Sequence, residues 1–171
     1  MSQLFKVRVF DKVDDYQSII RLISDVIINE FKFKLEFDSL DSDLLQIEKH
    51  YNEADGGSFW VAERDTWNNK NNSHSQIVGT IAIRNLKQFE STCELKRMYV
   101  LKEFGRLGIG QRMLDVATDF ARKSGYSRMV LDSSKRLDAA RALYLKAGFV
   151  DIPRYNDNYR ADAFMERRLL I

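Results

Sequence analysis

Cysteine and histidine are scarce in this chain of 171 residues, which contains one Cys and two His. The single Cys93 excludes an internal disulfide framework, and Cys93, His50 and His74 do not have the spacing of a metal site. We therefore expect a reducing compartment and no bound metal. No His lies near Cys93 in the sequence to activate it, which argues against a thiol nucleophile.

An excess of charge of one sign is also missing. Lys and Arg number 27 against 25 Asp and Glu, so the net charge of +2 offers no broad field for nucleic acid or an anionic membrane. No hydrophobic run approaches the roughly eighteen residues of a membrane span, and the first residues lack the apolar core of a signal peptide. These absences predict a cytoplasmic protein without nucleic-acid or membrane partners.

The composition that is present is typical of a globular protein, with 44% hydrophobic and 30% charged residues. We expect one domain over residues 1–171, since neither an internal repeat nor a second domain is evident. Strands are predicted over residues 4–10, 59–63, 77–84, 93–101, 128–132, 150–153 and 164–169, and helices over residues 14–33, 40–52, 109–124 and 137–147. The polar segment 67–76 is predicted to be a mobile hairpin loop. This order indicates an α/β fold (α+β in some schemes), with helices packed on a mixed sheet.

The sharpest local feature is a glycine-rich turn between a strand and a helix. It reads Gly105-Arg106-Leu107-Gly108-Ile109-Gly110. Glycines let backbone N–H groups approach a ligand, and a helix N-terminus carries a partial positive charge. The first turn has no Asp or Glu to satisfy those N–H groups, so the pattern favours an external anion such as a pyrophosphate. A turn that binds nothing is the alternative.

Two other phosphate motifs fail on spacing. A Walker loop requires Lys and then Ser or Thr after its last glycine, but Gln111 and Arg112 follow Gly110. A dinucleotide fingerprint requires G-x-G-x-x-G in an early βαβ unit, whereas these glycines read G-x-x-G-x-G and follow several strands. ATP and NAD are therefore disfavoured, and so is a general nucleotide-binding module.

Three segments in the same order and spacing resemble the GNAT superfamily of N-acetyltransferases. They are Glu94-Leu95-Lys96-Arg97-Met98-Tyr99-Val100, the turn Arg106-Leu107-Gly108-Ile109-Gly110 and Ala139-Ala140-Arg141-Ala142-Leu143-Tyr144-Leu145-Lys146-Ala147-Gly148-Phe149. The resemblance covers residues 93–150 closely. It implies a mixed, mostly antiparallel sheet of about seven strands flanked by about four helices, with two strands splayed where coenzyme A (CoA) binds.

The resemblance also implies where acetyl-CoA would lie as co-substrate. The pantetheine arm would lie between the splayed strands and the pyrophosphate on the glycine turn. The implied cofactor-binding residues are Met98, Tyr99, Val100, Arg106, Leu107, Gly108, Ile109, Gly110, Gln111, Ser133 and Ser134. Gly105 departs from the family pattern, which has Gln or Arg there, and Arg106 is expected to supply the charge instead.

Acetyl transfer to an amine requires a base for the ammonium and an acid or donor for the departing thiolate. By resemblance, Glu94 is the candidate base and Tyr144 the candidate donor to the sulfur. The alternative for Glu94 is an exposed ion pair with Lys96, with Glu63 or a water chain acting instead. The alternative for Tyr144 is a core aromatic residue on the packed face of its helix.

The acceptor pocket of the family would here involve residues 33–38 and 154–160. Their aromatic and charged residues favour a small polar amine, with a carboxylate held by Arg154 or Arg160, although a peptide N-terminus or a lysine side chain remains open. The sequence therefore predicts an acetyl-CoA-dependent N-acetyltransferase acting on a small amine or peptide, with a homodimer left open. The alternative function is a non-catalytic acyl-CoA-binding domain.

Overall fold

The computed structural model of the chain describes residues 5–67 and 73–169. Leu4 of the first predicted strand and residues 68–72 of the predicted hairpin loop lie outside this part. The strands are β1 Lys6–Val9, β2 Ser58–Trp67, β3 Ser73–Asn85, β4 Thr92–Val100, β5 Arg128–Ser133, β6 Val150–Asp151 and β7 Ala163–Arg168. The α-helices are α1 Tyr16–Asn29, α2 Ile47–His50, α3 Ile109–Lys123 and α4 Asp138–Lys146, with 3-10 turns at Ser42–Gln46, Glu53–Asp55 and Lys102–Phe104.

The seven described strands form one sheet in the order β1-β2-β3-β4-β5-β7-β6. The β4–β5 pair is parallel, and every other described pair is antiparallel. The predicted α/β fold is therefore confirmed, including its mixed, mostly antiparallel sheet of seven strands and its four helices. In the described part of the chain, no helix is both long and apolar enough to span a bilayer.

Several predicted segments differ from the structure. The helix predicted over residues 14–33 ends at Asn29, and the strand predicted over residues 150–153 covers Val150–Asp151. Trp67 belongs to β2 and residues 73–76 belong to β3, so the hairpin extends further than the predicted loop allowed. Its polar end continues through backbone pairing, as between Arg64 and Gln76, and such pairing requires no apolar period. The helix predicted over residues 40–52 is instead a 3-10 turn followed by the four-residue α2.

The alternation of β2 explains why helices cover both faces of the sheet. Phe59 and Val61 pack in a cluster with α1, whereas Trp60 and Ala62 pack in a second cluster with α3. Successive strand residues point to opposite faces, so a continuous apolar run gives a strand buried on both sides. The sheet is therefore the middle layer of three, and a gap in it would connect the two helical layers.

Such a gap opens between β4 and β5. The two strands pair from Thr92 with Arg128 to Leu95 with Leu131, and no pairing follows in the described residues. A bulge lies in β4 where its register against β3 shifts, and Arg97 there has a positive φ of 54°. Because a bulge bends the strand that carries it, β4 separates from β5 beyond this point, as the family resemblance implied.

Candidate functional site

A cavity of about 390 Å³ fills the gap between β4 and β5. On one side, called the α4 side, it is lined by Leu137, Ala140 and Tyr144. On the other side, called the loop side, the lining includes Phe33 and Asp41 of the segment after α1, together with Asn158, Tyr159 and Arg160 of the segment before β7. Two ligands, one entering from the α4 side and one from the loop side, could therefore meet within the sheet.

The N-terminus of α3, beside the α4 side, offers backbone donors that have no partner among the residues the structure describes. Gly108 is its N-cap with φ 79°, a conformation that a residue with a Cβ rarely adopts. The N–H of Arg112 is the first to find a partner, at 3.0 Å from the Gly108 carbonyl, and the first turn contains no acidic residue. The preceding N–H groups, including that of Gln111, are therefore left for an anion.

Gly110 is the point where this helix approaches both neighbouring elements. A Cβ at Gly110 would lie 3.3 Å from Leu143 of α4 and 3.5 Å from Met98 of β4. Arg106 and Leu107 are exposed, with Arg106 at a φ of 62°, and the Gln111 side chain donates to Asp115 at 2.9 Å. The turn therefore presents backbone to the outside, and even a Cβ at Gly110 would crowd Leu143.

The other residues predicted to bind the cofactor lie along the gap. Met98, Tyr99, Ser133 and Ser134 line the cavity, whereas Val100 lies beside Gly110. The β4 residues opposite β5 in this part of the gap have no strand partner on that side in the described chain. An extended ligand bearing amide groups could pair with them.

Tyr144 lies on the α4 side of the cavity and is 5% exposed. Its hydroxyl donates to the Met98 sulfur at 3.5 Å, and its ring packs 5.7 Å from that of Phe149. Burial raises the pKa of the phenol, with a further contribution from Tyr99, so the hydroxyl stays protonated at neutral pH. Tyr144 is thus both a core residue and a hydrogen-bond donor at the gap.

Glu94 lies behind the cavity wall and has no exposed surface. Its carboxylate forms an ion pair with Arg84 at 2.6 Å and accepts hydrogen bonds from Tyr155 at 2.9 Å and Asn156 at 3.4 Å. The alternative of an exposed pair with Lys96 is therefore wrong. An amine in the cavity would not touch Glu94 directly.

Glu63, the other acid considered, pairs with Arg8 at 2.6 Å and Lys6 at 3.3 Å near the β1 edge of the sheet. Burial opposes ionisation of Glu63, but its hydrogen bonds to Arg8 and neighbouring residues lower its pKa to about 2. It is not among the residues that line the cavity. Its position makes it a structural partner of β1.

Asp132 is a carboxylate that lines the cavity at the point where β4 and β5 separate, and no role was predicted for it from the sequence. It accepts from Lys96 at 3.2 Å, Asn156 at 2.8 Å and Asn158 at 3.0 Å, and its side chain is 6% exposed. Burial opposes ionisation, but the Lys96 charge and the two amides lower the pKa of Asp132. The usable signal was the parallel register, because Lys96 and Asp132 directly follow the last β4–β5 pair, Leu95 with Leu131.

Ion pairs hold the loop side together. Arg97 contacts Asp41 at 2.8 Å and also contacts Asp43, while Arg160 contacts Asp41 at 2.9 Å and Glu36 at 2.8 Å. The two segments predicted to form the acceptor pocket are thereby joined to each other and to the bulge in β4. Among the described residues, no three His, Cys, Asp or Glu side chains gather in an arrangement that could hold a metal ion.

The two arginines considered for a substrate carboxylate are engaged within the protein. Arg154 donates to the carbonyls of Asn158 and Ala161, each at 2.9 Å, and its guanidinium lies 4.6 Å from the centre of the Phe164 ring. Arg160 lines the cavity, but its terminal nitrogens hold Asp41, Glu36 and the Lys34 carbonyl. Its Nε is buried and has no partner in the described part of the chain.

Comparison with known proteins identifies related sequences and structures. The family model described as Acetyltransferase (GNAT) family matches residues 25–149. The Xenopus tropicalis protein named "Probable N-acetyltransferase camello" is 31% identical over 110 residues, which are 64% of this chain and 46% of that protein. The chain thus spans about half the length of the curated relatives it matches.

Two solved structures share the fold over nearly the whole chain. An acetyltransferase of the GNAT family from Staphylococcus aureus superimposes with a TM-score of 0.82 at 27% identity, covering 97% of this chain and 99% of that one. The protein yncA from Salmonella typhimurium, solved with its cofactor acetyl-CoA, superimposes with a TM-score of 0.71 at 18% identity, covering 99% and 96%.

Proposed function

Because the chain belongs to the GNAT family of acetyltransferases, we propose that it moves the acetyl group of acetyl-CoA to a primary amine of a small molecule or peptide. The observation that carries this proposal is the gap in the sheet, which opens both towards α4 and towards the loop side. A thioester entering from one face and an amine from the other would meet without a covalent enzyme intermediate. We treat residues 1–171 as a single domain that performs the whole reaction.

The chain's own residues fit the elongated shape of acetyl-CoA. The open N–H groups at the start of α3 would hold the pyrophosphate, and Arg106 would add a charge beside it. The stretch Met98–Val100, which has no strand partner on its β5 side among the described residues, would hold the pantetheine amides, with Ser133 and Ser134 on the opposite side of the gap. The Salmonella protein with the same fold was solved with acetyl-CoA, which supports this ligand.

The proposed step is direct transfer in a ternary complex. The amine nitrogen forms a bond to the acetyl carbon, the bond from that carbon to sulfur breaks, and the sulfur leaves with the bonding electrons. The nitrogen loses one proton and the sulfur gains one, giving the acetamide and free CoA. Tyr144 would donate its hydroxyl proton or a hydrogen bond to the sulfur, and a β4 backbone N–H would stabilise the oxyanion.

Glu94 is retained as the proposed base, acting at a distance. Its buried carboxylate and Asp132 both accept from the Asn156 amide, so a single residue separates it from the cavity. A proton would have to reach Glu94 by a relay along this polar cluster. Asp132, which would contact the ammonium of the acceptor, is the competing carboxylate.

The experiment that tests the proposed function is a thioester-cleavage screen. Purified protein, acetyl-CoA and pooled primary amines or peptides are incubated, and free thiol is measured against a sample without acceptor. Amine-dependent thiol release with a matching acetylated product supports the proposal. Calorimetric binding of CoA without thiol release for any pool would instead assign the chain to the alternative, a non-catalytic acyl-CoA-binding domain.

A further inference from the structure

The proposed chemistry assigns no role to Lys96, which lines the cavity and forms an ion pair with Asp132. The two charged groups lie 3.2 Å apart, with side chains 16% and 6% exposed, at the first positions beyond the last pairing of β4 with β5. Burying a charge is unfavourable unless it is well paired, and a pair of this kind often contributes little to stability. Its position in a ligand-sized cavity points to recognition.

Both members of this pair have unused bonding capacity. Within residues 5–67 and 73–169, the Lys96 ammonium contacts Asp132 alone, which leaves two of its three N–H donors open. On Asp132, one carboxylate oxygen accepts from both Asn156 and Asn158, while the other accepts only from Lys96. The pair therefore offers an open cation and an open anion side by side.

Resting on the proposed function, we infer that the acceptor is a free α-amino acid, with its ammonium on Asp132 and its carboxylate on Lys96. An α-amino acid carries both charges on atoms bonded to the same carbon, so it can lie antiparallel to the pair and satisfy both groups. A simple amine or a peptide N-terminus would supply only the ammonium. The unpartnered Nε–H of Arg160 is a further donor on this side of the cavity.

The mouth of the cavity suits an apolar side chain on that amino acid. Phe33 and Tyr159 both line the cavity and are 41% and 64% exposed. The Arg160 guanidinium lies 5.3 Å and 6.0 Å from the centres of these two rings, which holds them at one place. Large aromatic surfaces that remain exposed at a binding mouth favour apolar contacts.

The inferred reaction balances as the general one does. The α-amine of the amino acid, once neutral, forms the new bond to the acetyl carbon and loses one proton. The sulfur leaves with the electron pair of the broken bond and takes up one proton. The carboxylate on Lys96 is unchanged and serves to orient the amine, and the products are an N-acetyl amino acid and CoA.

The test compares acceptors that differ only at the carboxylate. Each of the protein amino acids is assayed beside its carboxamide, and phenylalanine is also assayed beside 2-phenylethylamine. Thiol release and acetylated product are measured. Because amino acids, their carboxamides and 2-phenylethylamine differ in the pKa of the amine, kcat/KM is calculated from the concentration of the unprotonated amine. We expect at least one amino acid to be preferred over its carboxamide by about ten- to a hundredfold, as for loss of a hydrogen bond to a charged group.

Variants of Lys96 link that preference to the proposed contact. Lys96→Met should lower kcat/KM for the preferred amino acid by about ten- to a hundredfold more than it lowers the value for its carboxamide. Lys96→Arg should restore part of the preference, because it restores the charge. Lys123→Met, at an exposed lysine at the end of α3, is the matched control. Calorimetry of the amino acid with the CoA-saturated protein gives a readout independent of turnover, and Lys96→Met should abolish that binding.

The outcomes separate this inference from the proposed function. Carboxamides or simple amines that are acetylated as well as every amino acid would overturn the inference and leave the acetyltransferase standing. An equal loss for all acceptors in Lys96→Met would overturn it as well, by making Lys96 a structural residue. If no amine or peptide releases thiol from acetyl-CoA, the proposed function itself fails and the inference fails with it.

Discussion

The phenolic oxygen of Tyr144 lies 3.5 Å from the sulfur of Met98, so a side chain of α4 reaches the strand beside which the sheet opens. A thioether sulfur is a weak acceptor, and a stronger acceptor entering the gap would take its place. A thiolate leaving from an acyl donor on the α4 side is such an acceptor. The contact thus places a protonated phenol where the proposed reaction needs a donor.

Tyr144→Phe removes this hydroxyl with little change in volume. Because the ring still packs against Phe149, the fold and the CoA affinity should survive. The value of kcat should fall by roughly tenfold to several hundredfold, within the range for loss of a general acid. Steady-state kinetics with the best acceptor from the screen, together with CoA calorimetry, measures both quantities.

The control for Tyr144→Phe is a second acyl donor with a more acidic thiol. A better leaving group needs less help, so the loss caused by the substitution should be smaller with that donor. Equal losses with both donors, or a variant that no longer binds CoA, would assign Tyr144 to packing alone.

The glycine turn should bind CoA through its backbone more than through its charge. Gly110→Val places side-chain atoms against Leu143 and Met98, so it should abolish binding. Arg106→Ala removes one exposed charge that salt screens, and should weaken binding only severalfold. Calorimetry with CoA for both variants gives the order, and the reverse order would make the Arg106 side chain the main receptor.

The same turn predicts which ligands stabilise the protein. Acetyl-CoA matches both the α3 N-terminus and the β5-facing edge of β4 beyond Leu95, whereas ATP and NAD match at most the turn. Acetyl-CoA should therefore raise the Tm in a thermal-shift measurement, and ATP and NAD at the same concentration should not. A comparable increase with ATP would show a general nucleotide site.

Glu94→Gln tests the proposed base through its pH dependence. If Glu94 receives the proton of the amine, the rate should fall most near neutral pH and recover partly at high pH, where the amine loses its proton unaided. Asp132→Asn is the parallel variant, because Asp132 is the carboxylate that the acceptor would contact. If the rate of Glu94→Gln is lowered equally at all pH values while the rate of Asp132→Asn recovers at high pH, Asp132 and not Glu94 is the base.

Local patterns predicted the parts of the site that depend on consecutive residues. The glycines of the turn and its lack of acidic residues were sufficient to predict the open N–H groups at the start of α3. The resemblance predicted Tyr144 as a donor to the sulfur. The surroundings of Glu94 depend on Arg84, Tyr155 and Asn156, which lie 10, 61 and 62 positions away, and no local period encodes such contacts. The pair of Lys96 with Asp132 was likewise not predicted, because their contact follows from a parallel register that only the assembled sheet fixes.

Arg97 should be the charged residue whose loss costs most stability. Its side chain is 5% exposed and holds the buried Asp41 and Asp43, and it carries the bulge of β4 at a positive φ. Arg97→Met would leave two buried carboxylates without this cation, so we expect a loss of about 3–5 kcal/mol in the free energy of unfolding at pH 7. Arg21→Met, at an exposed position on α1, is the matched control and should change stability little.

The pH dependence of this loss distinguishes a charge effect from a packing defect. Burial alone would raise the pKa of Asp43, but Arg97 and the hydrogen bond from Tyr51 hold it below its usual value of 3.8. A carboxyl whose pKa is lowered by folding stabilises the protein above its unfolded pKa, and this stability is lost as the pH falls through the folded value. The wild type should therefore lose stability from pH 5 towards pH 3. In Arg97→Met, protonation removes the unfavourable buried charge of the carboxylates. The difference in the free energy of unfolding between the two proteins, measured by urea unfolding, should therefore become smaller over the same pH range. A difference in stability that stays constant from pH 7 to pH 3 would mean that Arg97 acts by packing rather than by charge.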